Sequence, residues 1–339
     1  MNRLLVVRLG SLGDIVHAVP AVAALGRAWP GAAIDWVTAP GYRELVRMVR
    51  GVRRVITVDT RRWSGSDGVP AVVRALRANR YEAVLDLQGL LKSAVLARLA
   101  GGARTVGFTR PDLRETAAGA FYSESVDATG AEHVIDKGLA MARALGASVD
   151  APEFPLDVPD LPEVWALVAR TAPGGYALLN PGAAWPNKQW PAERFGAVAA
   201  ALWRDRGVSS VVLWGPRERA LAESVVAASA GTAELAPPST IPGIAALATQ
   251  ARLMLSGDTG PLHLAAAVGT PAVALFGPTR SGRNGPWSPQ DISISRLNQC
   301  ECVYQRQCRR AVPCIAGIET GEVVAAAGLR LDRSAGGSR

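Results

Sequence analysis

The chain has 339 residues, 49% of them hydrophobic and 19% charged, enough apolar material for about two domains and too much for a disordered chain. Lys and Arg number 37 against 29 Asp and Glu, a formal charge of +8 that allows an anionic partner without identifying one. Only Lys92, Lys137 and Lys188 are lysines, which marks each as a candidate functional choice. The apolar run 4–7 is too short for a signal-peptide core and is followed at once by Arg8. The longest uncharged stretch, 259–279, is broken by Gly260, Pro261, His263, Gly269, Pro271, Gly277 and Pro278. It reads as a buried helix followed by a buried strand rather than a membrane span, and a cytosolic chain is expected.

Taken in chain order, the first half alternates strand and helix. Strands are predicted at 4–8, 34–38, 55–58 and 83–87. Helices are predicted at 15–29 (tolerating Pro20), 42–49, 69–78 and from about 91. Prolines 152, 155, 158 and 162 then suggest an extended linker. The alternation resumes with strands at 176–180, 210–214, 253–256 and 272–276, and helices at 192–204, 218–230, 241–249 and 261–268. Such alternation means parallel βαβ units. The expected organisation is a Rossmann-like domain over 1–155, a linker over 156–172 and a second Rossmann-like domain over 173–339, facing across a cleft. The last helix is expected to pack back on the first domain.

Four turns carry candidate chemistry. In the first, GSLGD at 10–14, Gly10 and Gly13 let a ligand approach the backbone, with Ser11 between them. The glycine spacing is not the G-x-G-x-x-G dinucleotide fingerprint. Asp14 fits a first-turn helix acid and equally a general base, and His17 stands one turn on. The second is Asp258-Thr-Gly-Pro-Leu-His263, where Pro261 opens a helix whose free N–H groups can receive a diphosphate. The third, 180–191, carries Lys188, placed to neutralise a departing nucleotide or simply solvated. The fourth, 43–62, holds seven arginines against Glu44 and Asp59. There Arg61 and Arg62, before Trp63, are the better anion site, and Arg43, Arg47 and Arg50 fit a solvated face. Finally, Cys300, Cys302, Cys308 and Cys314 lie within 15 residues, a spacing open to zinc or iron, to a reducible disulfide or to free thiols.

In order and spacing these turns resemble glycosyltransferase family 9, the bacterial lipopolysaccharide heptosyltransferases of the GT-B fold. The likeness covers nearly the whole chain, and its first half is nearest the heptosyltransferase I branch. It is carried by GSLGD with His17-Ala-Val-Pro-Ala, by Arg61-Arg62-Trp63 and by Asp86-Leu-Gln-Gly-Leu-Leu-Lys92-Ser. Later come Trp214-Gly-Pro with Glu218, Asp258-Thr-Gly with His263, and Phe276-Gly-Pro-Thr279. The resemblance implies that Asp14 is the catalytic base. Lys188, Glu218, Asp258, Thr259, Gly260 and His263 then bind the donor, and Arg61, Arg62, Lys92 and Arg114 face the acceptor. Two features depart from the heptosyltransferase I pattern: Ala183 and Ala184 replace threonines, and the cysteine cluster is additional.

The implied activity is an inverting transfer of heptose from ADP-L-glycero-β-D-manno-heptose to the lipopolysaccharide inner core, at a 3-deoxy-octulosonic acid (Kdo) residue or a first heptose. It implies no cofactor for catalysis, with structural zinc or iron at the cysteines left open. The implied partners are an ADP-sugar and an anionic lipid-linked glycan, with the enzyme peripheral on the cytoplasmic face of the inner membrane. Alternatives are a family-9 transferase for another nucleotide sugar or a protein acceptor, a nicotinamide-dependent oxidoreductase or epimerase, and a non-catalytic anion binder. The oxidoreductase would use Asp35, although its glycines are wrong. A nucleic-acid binder is disfavoured by 6% aromatic residues and the lack of a recognised module.

Overall fold

Short apolar runs bounded by Gly, Pro and polar turns dictate the architecture. In the computed structural model, which describes residues 1–62, 64–66, 68–171, 175–238 and 240–336, they form two compact units, Met1–Asp157 and Val158–Arg339. The first unit runs β1 (Arg3–Val7), α1 (Leu12–Ala28), β2 (Ala33–Thr38), α2 (Arg43–Arg47), β3 (Val52–Thr57) and α3 (Val69–Arg77). It continues with β4 (Ala83–Asp86), α4 (Leu91–Leu99), β5 (Arg104–Phe108), β6 (Glu124–Val126) and α5 (Val134–Ala144). All pairings are parallel, in the order β3-β2-β1-β4-β5-β6.

The second unit runs α6 (Pro162–Thr171), β7 (Tyr176–Asn180), α7 (Ala192–Arg206), β8 (Ser209–Val212), α8 (Arg219–Ala227), β9 (Ala233–Leu235) and α9 (Ile241–Gln250). Then follow β10 (Leu253–Gly257), α10 (Gly260–Ala267), β11 (Ala272–Phe276), the single turn α11 (Ser281–Asn284), β12 (Ile292–Ser295) and α12 (Thr320–Gly336). Its parallel sheet has the order β12-β11-β10-β7-β8-β9. Counted from each unit's first strand, both sheets have the Rossmann order 3-2-1-4-5-6.

Helices cover both faces of the second sheet, so its central strands are largely apolar: β7, β10 and β11 are buried at every position, with Asn180 and Ser256 as polar residues near the C-terminal ends of β7 and β10. One face packs Trp190, Phe195, Val198 and Leu202 with Val323, Ala327 and Leu331 of α12. The other packs Leu167, Leu178, Leu247, Leu262 and Phe276. In the first unit Leu5, Val7, Val37, Val84 and Leu96 form one such layer.

One expectation changes. The segment read as an extended linker contains α6, because Pro162 opens a helix and Val164 and Leu167, three apart, reach one core face. The junction expected at 172/173 lies outside the described residues. The closing helix α12 buries its 323, 327 and 331 stripe in the core of its own unit.

Candidate active site

In a sheet of this order, ligands bind beyond the strand C-termini where the winding reverses, between the first and fourth strands. In the first unit those are β1 and β4. Gly10, just past β1, has φ +154°, and a Cβ there would stand 2.6 Å from the Tyr42 ring, so only glycine lets the turn pass. Ser11 and Gly13 complete the turn, and Asp14 sits in the first turn of α1. Asp14 Oδ2 accepts hydrogen bonds from the Ser11 N–H (2.8 Å) and hydroxyl (3.0 Å), and Oδ1 pairs with Arg8 at 2.7 Å. Arg8 is anchored on the Leu87 carbonyl, and Gln88 Oε1 accepts from the Leu9 N–H at 2.7 Å, which ties the β1 turn to the β4 turn.

Partial burial alone would raise the Asp14 carboxyl, but the Arg8 charge and the Ser11 bonds outweigh it and hold it below the usual carboxylate range. A carboxylate offers about four lone-pair sites. Three are taken here, and with 41% of the side chain exposed one remains on Oδ1 for an incoming proton. The first-turn role and the base role are therefore compatible.

Asp86, ending β4, is fully buried and has no cation among its hydrogen-bond partners: Ser93 and Tyr122 hydroxyls at 2.8 Å each, and the Gln88 and Gly89 N–H groups. Burial pushes its carboxyl up despite those bonds. It organises the 86–93 turn that holds Gln88 against Leu9. The sequence reading missed this role, whose only local signal is an acid ending an apolar strand.

In the second unit the corresponding strands are β7 and β10. Asp258, 4% exposed at the side chain, gathers three partners on the turn after β10. They are Lys188 Nζ (2.5 Å), the Thr279 hydroxyl (2.7 Å) and His263 Nε2 (3.2 Å). Burial opposes its charge, yet the His263 and Lys188 bonds and charges hold its carboxyl far below the usual range. Lys188 gives its carbonyl side close access to β10: a Cβ on Gly257 would stand 2.7 Å from the Lys188 oxygen. Its ammonium has three donors, of which Asp258 takes one through Oδ2 and at most a second through the main-chain oxygen at 3.4 Å.

Asn180, ending β7, donates to the Ser256 (2.9 Å) and Thr259 (3.0 Å) hydroxyls. Thr259 is thereby drawn off its helix: as N-cap of α10 it makes no side-chain cap. The amide-rich start of α10 at Gly260 is thus left for an anion, beside a retained ammonium. Glu218, at the N-cap of α8, accepts from the Gly215 N–H at 3.0 Å and lies against Gly182 of the Lys188 loop. Asn180 and Ser256 were not singled out from the sequence, and Thr279 was named only as part of a matching turn without a role; all three are ordinary polar residues until the strands align.

The family model described as "Glycosyltransferase family 9 (heptosyltransferase)" matches residues 69–312. Lipopolysaccharide heptosyltransferase 1 of Pseudomonas aeruginosa is 32% identical over 317 residues, covering 90% of this chain and 87% of that one. The chain belongs to glycosyltransferase family 9. Among solved structures, "E. coli heptosyltransferase WaaC with ADP" matches with TM-score 0.75 and 28% identity, covering 90% of this chain and 96% of that one. WaaC with ADP-2-deoxy-2-fluoro heptose matches with TM-score 0.72 and 29% identity over 86% and 92%. The expected GT-B class, built of two parallel-sheet α/β domains, is the one found.

In this family-9 chain the residues expected to face the acceptor all leave strand C-termini of the first sheet. Arg61 and Arg62 follow β3, Lys92 follows β4 and Arg114 follows β5, all exposed. The segments carrying Lys92 and Arg114 are tied to each other, because Glu115 Oε2 accepts from the Leu91 N–H at 2.7 Å. Arg61 folds back on Asp59 at 3.0 Å with 88% of its side chain exposed. Trp63 lies outside the described residues. Four other arginines of the run are paired: Arg47 with Glu44 inside it, Arg50 with Asp157 and Arg53 and Arg54 with Asp35 outside it. Asp35 is fully buried under those arginines and the Tyr81 hydroxyl, near the start of β2, so it is closed to a ribose. His17 packs edge-on against His133 at 5.7 Å, buried in α1.

The structural metal left open at the cysteines is not supported. Among the described residues no group of three or more His, Cys, Asp or Glu side chains is arranged to hold a metal ion, and Cys300, Cys302, Cys308 and Cys314 are free thiols. No helix among the described residues is long and apolar enough to cross a membrane.

Proposed function

We propose that this protein transfers a heptosyl residue from ADP-L-glycero-β-D-manno-heptose to the lipopolysaccharide inner core, at Kdo or a first heptose, with inversion and without a catalytic metal. The observation that carries the reading is the unit-two site: an uncapped α10 start next to a buried Lys188–Asp258 pair, in a chain 32% identical to a lipopolysaccharide heptosyltransferase 1. Two neighbouring structures are titled with ADP and an ADP-heptose analogue, which supports an ADP-sugar as the donor here.

In this reaction Asp14 accepts the acceptor hydroxyl proton as that oxygen attacks the anomeric carbon. The bond from that carbon to the diphosphate oxygen breaks, and ADP leaves on the opposite face. Negative charge grows on the leaving phosphate, where the remaining Lys188 donor and the α10 amides meet it. Asp258 holds Lys188 by one or two donors and so fixes where the third points. Glu218 is suited to donor hydroxyls. Arg61, Arg62, Lys92 and Arg114 supply positive charge for acceptor carboxylates and phosphates, and for an anionic membrane face on which the enzyme works peripherally, on the cytoplasmic side.

The test is product analysis with purified protein, ADP-heptose and Kdo-bearing lipid A. The reading expects one heptose added with ADP released, α-linked by NMR, in the presence of a metal chelator. Release of free heptose only, or a preference for UDP- or GDP-sugars, would overturn it.

A further inference from the structure

The cysteine segment touches the donor-side loop through a short bracket. Cys302 is buried and Cys308 half-buried, and their sulfurs lie 3.2 Å apart as free thiols. The five residues between them make three contacts with the turns around Lys188 and Asp258. The Tyr304 N–H donates to the Pro278 carbonyl (2.9 Å), next to Thr279, which bonds Asp258. The Gln305 carbonyl accepts from Asn187 Nδ2 (2.9 Å), next to Lys188, and Asn187 is 3% exposed. The Arg306 guanidinium donates to the Ala184 carbonyl (3.2 Å). The bracket thus ties the 183–188 loop to the 277–279 turn.

We propose that Cys302 and Cys308 form a reversible disulfide that closes this bracket into a ring and locks the 183–188 loop in place. Closing the sulfurs from 3.2 Å to a bond of about 2.05 Å needs a shift of only about 1.1 Å. The oxidant is a low-molecular-weight disulfide, RSSR. Cys308, the accessible thiol, loses its proton and attacks one sulfur of RSSR; that S–S bond breaks, and RS⁻ leaves and takes up a proton. Cys302, deprotonated, then attacks the Cys308 sulfur of the mixed disulfide and expels the second RS⁻, which is protonated in turn. The protein dithiol is oxidised and RSSR is reduced to two RSH.

Cys302 is equipped for the second step: the Arg309 N–H donates to its sulfur at 3.2 Å and favours its thiolate. Cys314 is not, because burial and its bond with Cys300 push its thiol up to about 12. In the reduced state the bracket can open locally, and the ring removes that freedom.

The test uses the full chain equilibrated in mixtures of reduced and oxidised glutathione. Peptide mass spectrometry without reduction should find a Cys302–Cys308 link, lost on adding dithiothreitol. Amide hydrogen exchange at 183–188 should slow by about tenfold on oxidation, a local-opening effect. Cys308→Ser should abolish both, and Cys300→Ser should leave both. A link joining Cys300 to Cys314 instead, no link under oxidising mixtures, or a link that leaves exchange at 183–188 unchanged would overturn the proposal. None of these readouts involves a nucleotide or a sugar, so the donor assignment stands or falls separately.

Discussion

Replacing Lys188 with alanine removes one partner from a pair that is almost dry: 14% of the lysine side chain and 4% of the aspartate side chain are exposed. Breaking a buried pair from one side costs about 3–5 kcal/mol, because the partner charge stays behind unpaired. Asp258 keeps the Thr279 hydroxyl at 2.7 Å and His263 at 3.2 Å, which places Lys188→Ala at the lower end, about 3 kcal/mol. In a unit of this size that corresponds to a fall in Tm of roughly 6–12 °C.

The pH dependence follows from the direction of the Asp258 shift. Its carboxyl is lowered in the folded state, so its contribution is complete above the unfolded value near pH 4 and disappears as pH falls through the lower folded value. The gap between wild type and Lys188→Ala should therefore be full at pH 7 and narrow below about pH 4. Scanning calorimetry on the full chain, following the transition of the second unit across this range, is the assay. Lys188→Ala with Asp258→Asn should recover part of the loss, since no buried charge is left alone. A Tm within about 2 °C of wild type at pH 7, or a gap that ignores pH, would refute the reasoning.

Arg8→Met removes the largest influence that lowers the Asp14 carboxyl and leaves burial to raise it, so the acid limb of kcat/KM should move to higher pH. An unmoved limb would mean that Asp14 is not the titrating base. Gly10→Ala forces a Cβ to 2.6 Å from the Tyr42 ring at a left-handed φ, and should cost about 1–3 kcal/mol by thermal melt together with most of the turnover. Raising salt from about 50 to 500 mM should raise the acceptor KM several-fold, because the exposed arginines act over roughly one Debye length. A salt-independent KM would remove them from acceptor binding.

Much of the fold was legible because its central strands are largely apolar runs. The expected 176–180 and 272–276 coincide with β7 and β11. Three of the four unread strands are edges: β6 and β9 have three residues each and are half polar, and β12 alternates Ile and Ser. Such strands need a neighbour to exist and leave little pattern. β5 is broken by Thr105 and Gly107, and α6 was hidden by its prolines, although Val164 and Leu167 carried a helical spacing. At the site, Asp14, Asp258 and His263 were readable from turn chemistry. The Lys188–Asp258 contact spans 70 residues, and no local spacing signals it.

The central claim is that the Asp14 carboxylate takes the acceptor proton, and Asp14→Asn tests it most directly. The amide keeps the size and most of the Ser11 contacts but cannot act as a base. With ADP affinity confirmed by calorimetry, kcat for heptose transfer should fall by about 10²–10⁴-fold while ADP binding stays within a factor of about two. Near-wild-type turnover in a variant that still binds ADP would contradict the account.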